Sequence, residues 1–283
     1  MSFLSFKKKP VVVKHYEDMV NNDLGELNTR KLVHEFFLPE SIIPELMYWV
    51  GPSPILHLPP SMLVMPGGHD YGSNQHPFLQ ALEGGKDALA NFYKGFSPTN
   101  LIEMYGIKRE GLHGEDLPPW EIPWLLRKRV PPSSEGGLDS SHGASFFGPV
   151  TQEKLTLEMR RLESISKSVK AKGYRPKLRG NIEGYFLKNN SEYRFFILGG
   201  KHRAAVLSFM GDAQARVPVR VRESVPRFID RSDSANWPLV RSKCISEELA
   251  LKVFDCYFRV TPPAERGGMI TKLYNASDSY GNI

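Results

Sequence analysis

With 283 residues, 41% of them apolar and 24% charged, the chain has the composition of a globular protein of one large or two medium domains. A formal net charge of +6 and a pI near 9.2 favour an anionic partner without choosing among nucleotides, sugar phosphates, nucleic acid and acidic membrane surfaces. The two cysteines, Cys244 and Cys256, lie outside any C-x-x-C spacing, no apolar run reaches about 18 residues, and residues 1–9 hold no apolar core. A disulfide scaffold, a membrane span and a secretory signal are therefore not expected, and a reducing cytoplasm is the expected compartment.

Residues 1–110 read as a mostly helical and irregular region. Lys7, Lys8 and Lys9 form a basic tail of the kind that is normally solvated. Residues 28–65 are rich in apolar and aromatic side chains, among them Phe36, Phe37, Leu46 and Trp49, but are broken by Pro39, Pro44, Pro52 and Pro54. The prolines rule out long helices, so short elements joined by turns are expected to supply core here. The loop 66–77 holds His69, Asp70 and His76. Such side chains can ligate a divalent ion, but no further ligand stands at a diagnostic spacing, and a polar connection is the better reading. Residues 78–96 carry helical periodicity through Phe78, Leu82, Leu89 and Phe92, and Ser97-Pro98-Thr99-Asn100 reads as a cap before a second helix at 101–105. Residues 111–148 form a Pro/Gly-rich segment with the basic cluster Arg127-Lys128-Arg129. Trp120 and Trp124 argue against a plain linker, so this segment is expected to pack against the domain that follows and to cover its cleft.

A long helix starting near residue 149 carries Arg161, Ser164 and Ser168 at spacings of three and four, hence on one face. One cation and two hydroxyls on a shared face can hold phosphates and a ribose. A strand at 182–188 follows, with Glu183 the nearest carboxylate that can act as a base. A second strand, from Tyr193, runs into Gly199 and Gly200, after which Lys201, His202 and Arg203 open an apolar-periodic helix ending near Gly211. The first N–H groups of a helix have no internal partner and carry the positive end of its dipole, so an anion placed there meets ready donors. The two glycines allow close approach of a phosphate, and the planar fork of Arg203 matches its oxygens. Taken alone, an ordinary tight turn with a surface His and Arg fits these residues equally well. Residues 217–221, Val-Pro-Val-Arg-Val, alternate as an edge strand would.

The ordered set Ser168-Val169-Lys170-Ala171-Lys172-Gly173, the strands from Ile182 and Tyr193, Gly200, His202-Arg203-Ala204-Ala205, Gly211 and Val217-Pro218-Val219 resembles the ParB/sulfiredoxin superfamily over residues 147–222. The resemblance implies an α+β fold, a mixed sheet with flanking helices. Its closest look is to sulfiredoxin-like members, whose Gly-Gly-Cys-His-Arg motif and basic, hydroxyl-bearing helix bind ATP. It implies that Arg161, Ser164 and Ser168 contact a nucleotide and that Gly200, His202 and Arg203, beside Gly199, hold its phosphates. Lys201 stands where sulfiredoxin carries its nucleophilic cysteine, and a lysine cannot supply thiol chemistry, so sulfinic acid reduction is not expected. The same superfamily includes partition proteins that bind CTP and DNA, and kinases that phosphorylate a free amino acid.

Residues 223–283 read as a tail with one helix, capped at Ser246-Glu247-Glu248 and running to about Phe258, before a Gly-, Ser- and Asn-rich end. The tail offers no paired helices with a short turn, which takes support from specific DNA binding. The expectation is a nucleotide domain at 149–222 that binds ATP or ADP with Mg²⁺ and acts as a phosphotransferase on a small-molecule acceptor. Lys201 and Arg203 would stabilise the transferred group and Glu183 would serve as base, with no metal site built from protein ligands alone. The alternatives are a CTP- or ATP-dependent DNA-binding or switch protein without catalysis, and an inactive fold reused for protein contacts.

Overall fold

The computed structural model describes residues 37–38, 40–49, 53–73, 76–125, 137–176, 180–211 and 215–259. The Lys7–Lys9 tail, the cluster at 127–129 and the polar end of the chain lie outside the described residues. The fold is α+β, with helices packed on a mixed sheet of seven strands. Six of the strands form one path, β1-β2-β6-β4-β5-β3, and β7 pairs with β4 off that path.

The sheet is built around a hairpin. β4 (Ile182–Asn189) and β5 (Glu192–Gly199) are rich in aromatic and branched residues and pair antiparallel. Asn190, with φ at 53°, turns the chain between them, a conformation asparagine tolerates better than most residues. The ladder shifts register between Glu183 and Gly184, where a Cβ at position 184 would run into the carbonyl oxygen of Phe196. Tyr185 and Phe196 are direct partners and stack on one face of the hairpin, while Phe186 and Phe195 pair on the other.

The proline-broken stretch before residue 66 supplies more than turns. It contributes β1 (Phe37–Leu38), β2 (Ile55–Leu58) and β3 (Leu63–Val64), with short 3₁₀ turns between them. β3 lies parallel to β5, and β2 lies antiparallel to β6 (Val217–Val221). Expected at an edge, β6 is therefore interior, held by β2 on one side and parallel to β4 on the other. Its proline, Pro218, lies opposite His57 in the β2 ladder, and the β4 pairing starts at Val219, one residue past it, so the missing N–H costs the β4 ladder no bond. β7 (Phe228–Asp230) takes the rest of the same β4 edge, with Phe228 opposite Phe186.

Helix α1 (Pro77–Gly95) starts with Pro77 in its first turn, and the His76 Nδ1 accepts the Phe78 N–H at 3.1 Å. α2 (Leu101–Tyr105) begins where its capping sequence predicts, with Asn100 Oδ1 accepting from the Glu103 N–H at 3.0 Å. α3 (Gln152–Lys172) is capped by Thr151, and α4 (Lys201–Met210) follows β5 after a single glycine. α5 (Pro238–Arg241) and α6 (Glu247–Asp255) close the described chain, and Ser246 caps α6 as expected. Among the described residues no helix is long and apolar enough to cross a membrane.

Trp124 explains what residues 111–148 do. Its ring is 2% exposed and meets Phe196, Trp237, Phe254 and Tyr257 edge-on, and its Nε1 donates to the Tyr185 hydroxyl at 2.9 Å. Trp124 thus ties the described part of this segment to the Tyr185–Phe196 face of the sheet and to α6. Each aromatic ring buried in this way stabilises the fold by roughly 1.5–3 kcal/mol.

Candidate nucleotide-binding cleft

Helices α1, α3 and α4 pack on one another, and a cleft lies between the C-terminal half of α3 and Arg203 in the first turn of α4. The cleft has a volume of about 350 Å³. Ser164, Ile165, Ser168, Val169 and Lys172 form its α3 wall, Gly173, Tyr174 and Arg175 its end, and Arg203 the α4 side. Sequence distance hides this arrangement, because β4 and β5 intervene between the two walls.

The α3 wall follows from helical geometry. Positions 161, 164, 168 and 172 are separated by three, four and four residues, so Arg161, Ser164, Ser168 and Lys172 form one stripe. Arg161 stands one turn before the lined part of the wall. The opposite stripe, Leu155, Glu158, Met159 and Leu162, is buried. Gly173 ends the helix with φ at 68°, which swings Tyr174 and Arg175 across the cleft. Arg175 Nε donates to the Lys172 carbonyl at 3.1 Å, so part of this positive charge answers the negative end of the α3 dipole.

The α4 side depends on Gly200. It caps the helix in the left-handed region, φ 83° and ψ 22°, and a Cβ there would stand 3.0 Å from the Arg203 guanidinium and 3.1 Å from the Ile182 Cα. Glycine is needed for both reasons. Arg203 in turn donates through Nη2 to the Asn181 carbonyl at 3.0 Å and through Nη1 to that of Gly180, fixing the approach to β4 while forming part of the cleft. Gly199 pairs with Glu183 across the β4–β5 ladder, and the Glu183 carboxylate accepts from Arg222 Nε at 3.2 Å. The carboxylate expected to act as a base is therefore beside the glycine turn and already ion-paired.

Two expected site residues are turned elsewhere. His202 stacks on Phe78, ring centroids 4.6 Å apart, and its Nε2 is bonded to Glu158. It packs between α1 and α3 and is not among the residues that line the cleft, so in this arrangement its ring is committed to Phe78 and Glu158. Lys201 holds its ammonium 5.4 Å from the centre of the Phe146 ring, a cation–π contact with the segment before α3.

Glu158 is the most constrained charge in the molecule's described part. With no exposed surface, it accepts from Lys154 Nζ at 2.8 Å, from Ser145 Oγ at 2.9 Å and from His202 Nε2. Burial raises its carboxyl, but the hydrogen bonds and charges of His202 and Lys154 outweigh burial and hold it at about 2. Neither Glu158 nor Lys172 stood out in the sequence. Glu158 shares the apolar stripe with Leu155 and Leu162, and Lys172 continues the stripe of Ser164 and Ser168 by one turn, so both signals were present as spacing.

The histidine loop is interior as well. His69 and His76 are buried with ring centroids 6.5 Å apart, and Asp70 accepts the Gly72 N–H at 2.9 Å. Among the described residues no group of three His, Cys, Asp or Glu side chains is arranged to hold a metal ion. Comparison of the chain with protein-family models, with curated proteins and with solved structures gives no match.

Proposed function

We propose that this chain is a cytoplasmic ATP- or ADP-binding protein, with a ParB/sulfiredoxin-like nucleotide domain, that transfers a phosphoryl group to a small-molecule acceptor. One observation carries the reading: the two hydroxyls of the α3 stripe and the guanidinium of α4 line the same cleft. Lys172, Arg175 and Arg203 add three cations there, which suits a polyphosphate. The apolar side chains of Ile165 and Val169 and the ring of Tyr174 suit the flat, less polar part of a nucleotide.

Within that reading Ser164 and Ser168 orient ribose and phosphate oxygens, and Arg203 with the α4 terminus takes the phosphate tail. Mg²⁺ is held mainly by phosphate oxygens, as it commonly is, and requires no cage of protein carboxylates. Lys201 lies within the same first turn and would have to leave the Phe146 ring to neutralise charge on the group in transfer. Glu183, released from Arg222, would accept the proton of the acceptor hydroxyl as the new P–O bond forms and the bond to the leaving nucleotide breaks, giving ADP from ATP or AMP from ADP. Phosphoryl transfer requires little else from a protein, since positioning and electrostatics supply most of the catalysis.

The test is calorimetric titration with ATP, ADP and CTP in Mg²⁺, followed by a phosphoryl-transfer assay against a panel of small alcohols and amino acids. Binding with acceptor-dependent ADP release supports the proposal. Binding without turnover favours a nucleotide switch, and absence of binding removes the assignment.

A further inference from the structure

The buried Lys154–Glu158–His202 cluster is unusual for its position. A charge cluster taken out of water is commonly no more stabilising than apolar side chains of similar volume, and is best attested where it fixes one arrangement over others. This one joins three separate pieces of chain: Lys154 and Glu158 on α3, His202 in the first turn of α4, and Ser145 in the segment that precedes α3. His202 is adjacent in sequence to Arg203, the cleft residue of α4, and Glu158 is six residues before Ser164, the first serine of the α3 wall, or roughly 9 Å along the helix. The cluster therefore ties α3 to the first turn of α4 about one to two helical turns before the first serine of the cleft wall.

We infer that Glu158 is a positioning residue for the cleft: by holding His202 it fixes the first turn of α4 against α3, and so sets the separation between Arg203 and the two serines. The inference rests on the nucleotide reading of the cleft for its functional consequence, and on the geometry alone for the position of the turn. His202 is held from two directions, by the carboxylate at Nε2 and by the Phe78 ring against its face, so its own freedom is small while both persist. With the carboxylate removed, the turn keeps the Phe78 stacking, the Lys201–Phe146 contact and the Arg203 bonds to the Gly180 and Asn181 carbonyls, and loses its buried hydrogen bond to α3. Arg203 would stay tied to the approach to β4 but the first turn of α4 would no longer be fixed against α3, so its separation from Ser164 and Ser168 would be less sharply set.

Removing the carboxylate alone would strand the buried Lys154 charge, so the test uses paired substitutions. In Lys154→Met with Glu158→Gln the buried charges are gone and an acceptor for the His202 Nε2–H remains. In Lys154→Met with Glu158→Met the acceptor is gone and the volume is kept. Both proteins are expected to fold with similar melting temperatures. The Gln form is expected to bind ATP within about threefold of the unaltered chain and the Met form at least tenfold more weakly, with amide hydrogen exchange at residues 201–204, measured without nucleotide, faster in the Met form only. Equal exchange and equal affinity in the two forms would overturn the positioning role. If the unaltered chain binds no ATP, the nucleotide reading fails, and exchange at 201–204 still decides whether Glu158 holds the turn.

Discussion

Ser168, near the end of one helix, and Arg203, in the first turn of another, line a single cleft although a complete β-hairpin separates them in the chain. Their meeting depends on β5 delivering the chain to Gly200 and on α4 packing back against α3. What the cleft offers is a set of donors with matched polarity, hydroxyls on one wall and guanidinium on the other.

Replacing Arg203 with Ala should weaken ATP binding by roughly 10- to 100-fold, the loss expected for a charge-assisted phosphate contact. The same change removes the bonds to the Gly180 and Asn181 carbonyls, so the melting temperature should fall as well. Arg203→Lys separates the effects: it retains the charge and loses the fork. Titration calorimetry and thermal unfolding on both variants check this, and unchanged affinity in Arg203→Ala contradicts it.

Ser168→Phe should fill the cleft and abolish nucleotide binding while leaving the fold intact, since Ser168 lies on the cleft side of α3, away from the buried stripe. Lys172→Ala should cost about threefold in affinity and reduce the dependence of binding on salt, as expected for an exposed cation. Measuring affinity at two ionic strengths distinguishes the steric effect from the electrostatic one.

Much of this architecture is written in local pattern. The cap at Asn100, the capped start of α6 at Ser246, the strands at 182 and 193 and the opening of α4 at Lys201 all follow from turn chemistry and periodicity confined to a few residues. What could not be read is pairing between distant segments. The alternation of Val217 to Val221 has the same form in an edge strand and an interior one, and only the arrival of Ile55–Leu58 on its open side decides between them. His202 has the same limitation: a histidine after a glycine turn suits a phosphate, and nothing local reveals that Phe78 and Glu158 have claimed it. Trp124 was legible as too costly for a linker, but its partners Phe196 and Phe254 lie far along the chain.

Acid should destabilise the protein in two stages. His76 is fully buried, and burial first, then the charges of His69 and His202, hold its imidazole well below the usual range. It stays neutral in the fold and gains a proton on unfolding, so stability should begin to fall as pH drops below about 6.5. Glu158, held at about 2 in the fold against 4.5 as the reference, contributes stability that is complete above about 4.5 and is lost as pH falls toward 2, on the order of 3 kcal/mol in all. Melting temperatures from pH 7.5 to 3 check both stages, and His76→Asn, which keeps a capping oxygen, should flatten the first. A profile that is level from 7.5 to 5 would contradict the assignment.

Gly200→Ala should destabilise the fold by about 1–3 kcal/mol, because the new Cβ meets both a left-handed backbone and the Ile182 backbone at 3.1 Å. Gly173→Ala provides a comparison, since its φ is also positive but nothing lies within 4 Å of its Cβ. Denaturant unfolding should rank Gly200→Ala as the more damaging.

The most direct measurement is hydrogen exchange of the full chain with and without saturating ATP and Mg²⁺. The account predicts slowed exchange concentrated at residues 164–175 and 200–204, on both walls of the cleft together. Protection confined to other parts of the chain, or none at a concentration where binding is saturated, would contradict it.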